Sequence, residues 1–175
     1  MVANLELLTS SNQAFTPEIQ QLKIPEGELH LRFYTSGTQE LALSAIAIRE
    51  VISIAPDRIT PIPNTSPLIL GALNLRGRVI WVADLGQILG EPTALNTERA
   101  EIPIIAVEEQ EIIVGLAVDK IVGMEWLNVE AVQISNTSDN LATFCRGEWS
   151  LEDHHQNLRL LDQKAIVQSA RWVAA

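Results

Sequence analysis

Apolar and polar positions alternate along much of this chain, the pattern of strands with one buried face. Leu29, Leu31 and Phe33 alternate with His30, Arg32 and Tyr34. Ser36-Gly37-Thr38 supplies a turn, and Glu40 to Leu43 returns as a second strand. Ser44 is placed to cap a short helix, with Ile48, Val51 and Ile52 on one apolar face and Arg49 and Glu50 nearer solvent. That helix must end before Pro56. From Ile59 to Pro67 three prolines fix φ and remove donors, which predicts an extended connector and not a central strand.

Leu70 to Leu85 reads as strand, tight turn, strand, with the turn at Arg76-Gly77 because glycine tolerates positive φ. Asp84 then caps a short helical turn through Leu89, stopped by Gly90 and Pro92. Ile102 to Val107 and Ile112 to Val118 form a second hairpin across Glu108-Glu109-Gln110-Glu111, and Lys120 to Leu127 adds a strand. Asn136 to Asn140 is loop. Thr143 to Ser150 and Asn157 to Leu161 are late strands around a Glu152-Asp153-His154-His155 turn, and Asp162 to Val173 predicts a closing helix. Residues 1–26 are polar and aperiodic and read as a tail, leaving 27–175 as the folded unit. Many short strands with few helices indicate a sandwich or barrels. Gly and Pro at the strand ends, where sharp bends are needed, favour small barrels.

Composition narrows the function classes. At 175 residues and 47% hydrophobic, the chain is long and apolar enough for a proper core, so it is no disordered acidic tail. No stretch approaches the roughly 20 apolar residues that span a bilayer, which excludes direct membrane insertion by a helix. The start of the chain lacks a basic region followed by an apolar run, so no signal peptide is expected. A lone Cys145 cannot form an internal disulfide, which fits a reducing cytoplasm. Twenty-two acidic residues face 12 basic ones, the wrong balance for neutralising phosphates, and nucleic acid is excluded as a partner. The excess is uneven: residues 1–100 carry 7 basic against 10 acidic, and residues 101–175 carry 5 against 12. It reads either as a soluble acidic surface or as an acidic lobe that meets a basic partner.

Enzymatic constellations fail one by one. Asp153-His154-His155 suggests a metal, but adjacent histidines on a strand point to opposite sides and no local third ligand follows. A small metal-assisted hydrolase on those three residues is therefore the least favoured alternative. Cys145 has no local base, no phosphate-cradling motif follows Gly71 or Gly77, and Asp84 and Asp119 look like strand-end caps. Trp126, Trp149 and Trp172 could form a binding face, or sit scattered in the core. What remains is recognition chemistry. Arg76 on a rigid hairpin can make a planar contact to a carboxylate, with Glu50 on the short helix as one partner, or stand as an ordinary surface arginine.

These residues resemble the CheW-like adaptors of bacterial chemotaxis signalling. The matching stretches are Ile48-Arg49-Glu50-Val51-Ile52, Ile59-Thr60-Pro61-Ile62-Pro63-Asn64, Gly71-Ala72-Leu73-Asn74-Leu75-Arg76-Gly77-Arg78-Val79-Ile80 with Asp84-Leu85, and Gly115 to Val122. Leu160-Leu161-Asp162 to Ala165 also fits, so the likeness covers roughly residues 28–168. The resemblance implies a mainly β fold of two interwoven five-stranded SH3-like barrels with short helices, a C-terminal helix and a shared hydrophobic seam. It implies an adaptor, without enzyme activity or cofactor, that couples the cytoplasmic tip of chemoreceptors to the regulatory domain of a CheA-type histidine kinase. Receptor contact carries over to Ile48, Glu50, Val51, Gly71, Asn74, Leu75, Arg76 and Ile121, with Gly77 setting the turn and the kinase-contacting residues left open. The implied place is the cytoplasm, at membrane-associated receptor arrays. A self-associating scaffold subunit without kinase is the other alternative. Trp81 stands where many members have proline, and Gly86 where arginine is common. Both changes are assigned to the outer face after the hairpin, and a variant serving type IV pilus motility or phototaxis would suit them.

Overall fold

The computed structural model describes residues 25–151 and 156–173. Two strands open the fold, Glu28–Tyr34 (β1) and Glu40–Ser44 (β2). Five follow in succession: Ile48–Ile54 (β3), Ile69–Leu75 (β4), Arg78–Asp84 (β5), Ile102–Glu109 (β6) and Ile112–Ala117 (β7), with a helical turn, Leu85–Ile88 (α1), after β5. Lys120–Leu127 (β8), Cys145–Trp149 (β9) and Leu158–Leu161 (β10) return to the start, and Gln163–Val167 (α2) closes the described chain together with a 3-10 turn at Ala170–Trp172.

The strands form two five-stranded sheets, in the orders β8-β1-β2-β10-β9 and β3-β6-β7-β5-β4. The second sheet uses one continuous stretch of chain, whereas the first takes strands from both ends of the sequence. That interleaving explains why the breaker residues mark no clean boundary between lobes. Bulges interrupt the ladders at Arg32/Phe33, Ile48/Glu50, Ile69/Gly71 and Leu160/Leu161, and each adds local twist, which curls both sheets.

The largest apolar cluster lies between the lobes. Leu31, Phe33, Leu41 and Leu43 of the first sheet meet Ile105, Val107, Val114 and Leu116 of the second, with Leu85 and Ile88 of α1 and Ile166 of α2 completing it. This is the shared seam that the resemblance implies. The second lobe has its own interior, built from residues such as Leu73, Leu75, Ile80, Val82, Ile102 and Ile104. The first lobe's interior is smaller: Ala42, Leu127, Trp149, Leu158 and Leu160.

A polar clasp joins the lobes at the surface. Glu91 accepts hydrogen bonds from Thr35 Oγ1, from Ser36 Oγ at 2.9 Å and from the Gly37 amide at 3.1 Å. The turn between β1 and β2 is thereby tied to the loop after α1. Gly86 lies buried beneath that carboxylate, where a Cβ would stand 2.3 Å from Glu91 Oε2. Gly86 is therefore not on the outer face; only Trp81, 43% exposed on β5, is.

Two further expectations are corrected. The helix expected after Ser44 is a single 3-10 turn, Ala45–Ala47, followed by β3, and Ser44 makes no side-chain cap. Apolar residues at 48, 51 and 52 fit a helical face, but the β-branched run Ile48, Val51, Ile52, Ile54 pairs with β6 instead. The closing helix is also shorter than Asp162 to Val173. Asp162 caps α2, as its side chain accepts from the Lys164 and Ala165 amides, but Ser169 is extended and restarts the chain as a 3-10 turn. That break lets Trp172 bury against α2 and donate from Nε1 to the Ile166 carbonyl at 2.8 Å.

Candidate functional site

The hairpin β4–β5 turns at Arg76 and Gly77, where the sequence placed it. Both residues have positive φ, 51° and 83°, the pair of values a two-residue hairpin turn of matching twist requires. Asn74 Oδ1 accepts from the Gly77 amide at 2.8 Å and pins the turn from inside. A Cβ at Gly77 would meet nothing within 4 Å, so the glycine serves the backbone angle and not the space.

Arg76 folds back from this tip toward β3. Its Nε donates to both carboxylate oxygens of Glu50, at 3.0 and 3.2 Å. The Glu50 side chain is only 17% exposed and the Arg76 side chain 80% exposed. β3 and β4 are opposite edges of the second sheet, so this contact forms where the curled sheet brings its two edges together. Glu50 raises the Arg76 pKa by hydrogen bonding and charge, so the guanidinium stays cationic at any working pH. Because Glu50 engages Nε, the terminal nitrogens make no hydrogen bond among the described residues. They leave a planar fork of donors for an outside carbonyl or carboxylate.

The other predicted residues divide into rim and support. Ile48 and Ile121 are half-buried at the margin of the inter-lobe seam, and Val51 is exposed next to Glu50 on β3. Leu75 packs inside the second lobe and Gly71 is buried, so neither lines a surface groove. Gly71 is where the proline-rich connector crosses β4: Thr60 and Ala72 exchange backbone hydrogen bonds of 2.8 Å, and a Cβ at Gly71 would lie 2.2 Å from the Thr60 carbonyl oxygen. The connector thus seals the β4 edge and sets the hairpin's position. Arg78, the second tip arginine, faces a different groove, where Arg49 and Glu108 pair at 2.7 Å. Near it Val79 and Trp81 on β5 and Ile112 on β7 leave an exposed apolar strip.

The residues weighed for catalysis take structural roles. Asp84 is 2% exposed and accepts from the Gln87 amide at 3.3 Å and the Leu95 amide at 2.7 Å; burial pushes its carboxyl above the ordinary range, with those hydrogen bonds opposing. Asp119 pairs with Arg99 at 2.9 Å. Burial pushes the Cys145 thiol up to about 11, which suppresses the thiolate that nucleophilic chemistry needs. Trp149 and Trp172 are buried while Trp126 is exposed, so the three make no common face. Among the described residues no three His, Cys, Asp or Glu side chains cluster as metal ligands, and Asp153, His154 and His155 lie outside them. No described helix is long and apolar enough to cross a membrane. The sequence did not single out Glu91, although the donor-rich turn Thr35-Ser36-Gly37 was a signal for a missing acceptor.

Comparison with known proteins places this geometry. The family model for the CheW-like domain matches residues 31–171. A "Chemotaxis protein CheW" of Rhizobium meliloti is 32% identical over 133 residues, 74% of this chain and 82% of that protein. "Protein PilI" of Pseudomonas aeruginosa is 33% identical over 73 residues, 42% of this chain and 40% of its own. Among solved structures, the scaffolding protein TtCheW of Thermoanaerobacter tengcongensis superposes with a TM-score of 0.71 at 21% identity, covering 86% of this chain and 98% of that one. The last likeness concerns the fold.

Proposed function

Because the chain belongs to the CheW-like family, we propose that it is a non-enzymatic adaptor that couples the cytoplasmic tip of chemoreceptors to a CheA-type histidine kinase. The observation that carries this reading is the Glu50–Arg76 pair, which presents an open guanidinium fork; to it we add an apolar rim made of Ile48 and Ile121 at the seam margin and the exposed Val51. A receptor helix packs its apolar side on that rim, and the fork fixes its register through a carbonyl or carboxylate. Asn74 and Gly77 hold the tip, while Gly71 and Leu75 fix the strand behind it. The kinase's regulatory domain meets the other exposed edge, β8, whose Val122, Met124 and Trp126 are open to solvent. Signal passes when receptor contact changes the adaptor's relative affinity for two kinase conformations. The chain works in the cytoplasm, at receptor arrays.

Arg76→Ala in a reconstituted receptor–kinase assay tests this. Receptor-dependent kinase activation is expected to fall by about tenfold or more, with the far-UV spectrum and kinase binding unchanged. Undiminished activation by the folded variant would overturn the reading. The match to Protein PilI supports a second form of it, in which the output is type IV pilus motility. Pull-down against the organism's CheA-type kinases separates the two outputs, and capture of none would favour a self-associating scaffold.

A further inference from the structure

β8 is the least rooted strand of the fold. Of residues 120–132, which comprise β8 and the turn after it, only Leu127 is buried, while Val122, Met124 and Trp126 are each nearly half exposed. The ladder to β1 is also interrupted. Gly123 stands opposite Arg32 and Ile121 opposite Phe33, so Val122 has no partner on β1. β6 and β7 are the contrast. They pair in unbroken register from Ile104 to Glu109. They also bury residues on both faces, Ile104 and Ile113 in the second lobe's interior and Val107 and Leu116 in the seam.

The strands beneath β8 do not depend on it for burial. Across β1 and β2 the register pairs His30 with Ser44, Arg32 with Ala42 and Tyr34 with Glu40, on the face that Ala42 turns to the first lobe's interior. The alternate pairs, Leu31 with Leu43 and Phe33 with Leu41, are buried in the seam against the second lobe. Lifting β8 therefore uncovers a largely polar face, and the hydrophobic effect opposes it weakly. Three ties hold the segment down. Leu127 joins the small interior cluster, Glu125 pairs with Arg32, and the Asn128 carbonyl accepts from Trp149 Nε1 at 2.7 Å. Its two ends are pinned through the backbone. Before β8, the Asp119 amide donates to the Tyr34 carbonyl at 2.9 Å. After it, Gln133 and Glu148 exchange hydrogen bonds of 2.9 and 2.8 Å.

We infer that residues 120–132 form a strap that opens from β1 as one unit between these two pins while the rest of the fold stays closed. The strap carries Ile121, at the margin of the seam, together with the exposed Val122, Met124 and Trp126. Its equilibrium between open and closed forms thus links contact at Ile121 to the outer edge of β8. The opening stands on the free chain alone; its part in signalling rests on the adaptor reading.

Native-state amide exchange of the full chain, read residue by residue by NMR, tests the strap. The hydrogen-bonded amides of β8 are expected to report one common opening, with protection about 100-fold or more below that of β6 and β7. Leu127→Ala should speed exchange in β8 by about 30-fold or more and leave β6 and β7 unchanged. Glu125→Gln changes an exposed side chain and keeps the fold, so it carries the same comparison, at about two- to fivefold, if Leu127→Ala does not fold. Protection in β8 equal to that in β6 and β7, or a variant that speeds all three strands alike, overturns the strap. Adding a chemoreceptor's hairpin tip should slow β8 exchange by about tenfold or more. A tip that protects the Arg76 hairpin and leaves β8 unchanged overturns the signalling role alone. One that protects neither sinks the adaptor reading and that role with it, while the strap is decided by the free chain.

Discussion

Arg76 holds a left-handed backbone angle that side chains larger than glycine, asparagine or aspartate rarely adopt, and the strain is localised at the one residue whose guanidinium must point back across the sheet edge. Gly77 beside it needs its φ but no space, whereas Gly71 needs both. Alanine at the two positions therefore separates the effects. Gly77→Ala is expected to cost about 1–2 kcal/mol from backbone strain alone. Gly71→Ala, driven into the Thr60 carbonyl, is expected to cost about 2–4 kcal/mol. Urea unfolding of both variants gives the comparison, and equal losses would show that the connector does not press on β4. Asp84 makes a pH prediction. Burial raises its folded carboxyl above its unfolded value, so the folded state binds the proton more tightly. Its contribution is present in full below the ordinary carboxylate range and is lost as pH rises through the raised value. Stability of the parent chain relative to Asp84→Asn should fall across that window, measured by denaturant midpoint against pH. A flat difference would count against a buried, upshifted carboxyl.

At the scale of elements, the alternation of Leu29, Leu31 and Phe33 and the Arg-Gly and Gln110-Glu111 turns made most strands legible, because period-two burial and positive φ leave direct marks in the sequence. β3 was misread because a bulge at Ile48/Glu50 shifts its register, so its apolar residues fall at spacings that also suit a helix. The closing helix was overextended because the tertiary demand on Trp172 breaks it at Ser169. The site shows the same divide. Local turn chemistry announced Arg76 and its charge suggested Glu50 as one partner, yet the reason the two touch is non-local: opposite edges of a curled sheet converge. Periodicity along a chain carries no information about which edges meet.

At the scale of the molecule, the clasp on Glu91 and the apolar seam together set how one lobe sits on the other. Removing the carboxylate leaves Thr35, Ser36 and the Gly37 amide without their acceptor. Glu91→Ala is expected to cost about 1–3 kcal/mol. Gly86→Arg, which places a side chain where the carboxylate lies, is expected to cost at least as much. Denaturant unfolding with the slope monitored checks both. A change within about 0.5 kcal/mol for Glu91→Ala would mean the clasp is replaced by water at no loss.

The order of strands also sets an order of assembly. β3 to β7 are contiguous and can close as the chain emerges from the ribosome, whereas β1 gains its outer neighbour only with β8, and β2 waits for β10. Until Leu161 has been made, the outer edge of β2 stays without its ladder partner, and that is a template for pairing with another chain. The half of the molecule that presents the arginine tip is thus complete well before the half built from β1, β2, β8, β9 and β10. A nascent chain arrested in between would expose a sticky edge on a lobe whose companion is already folded.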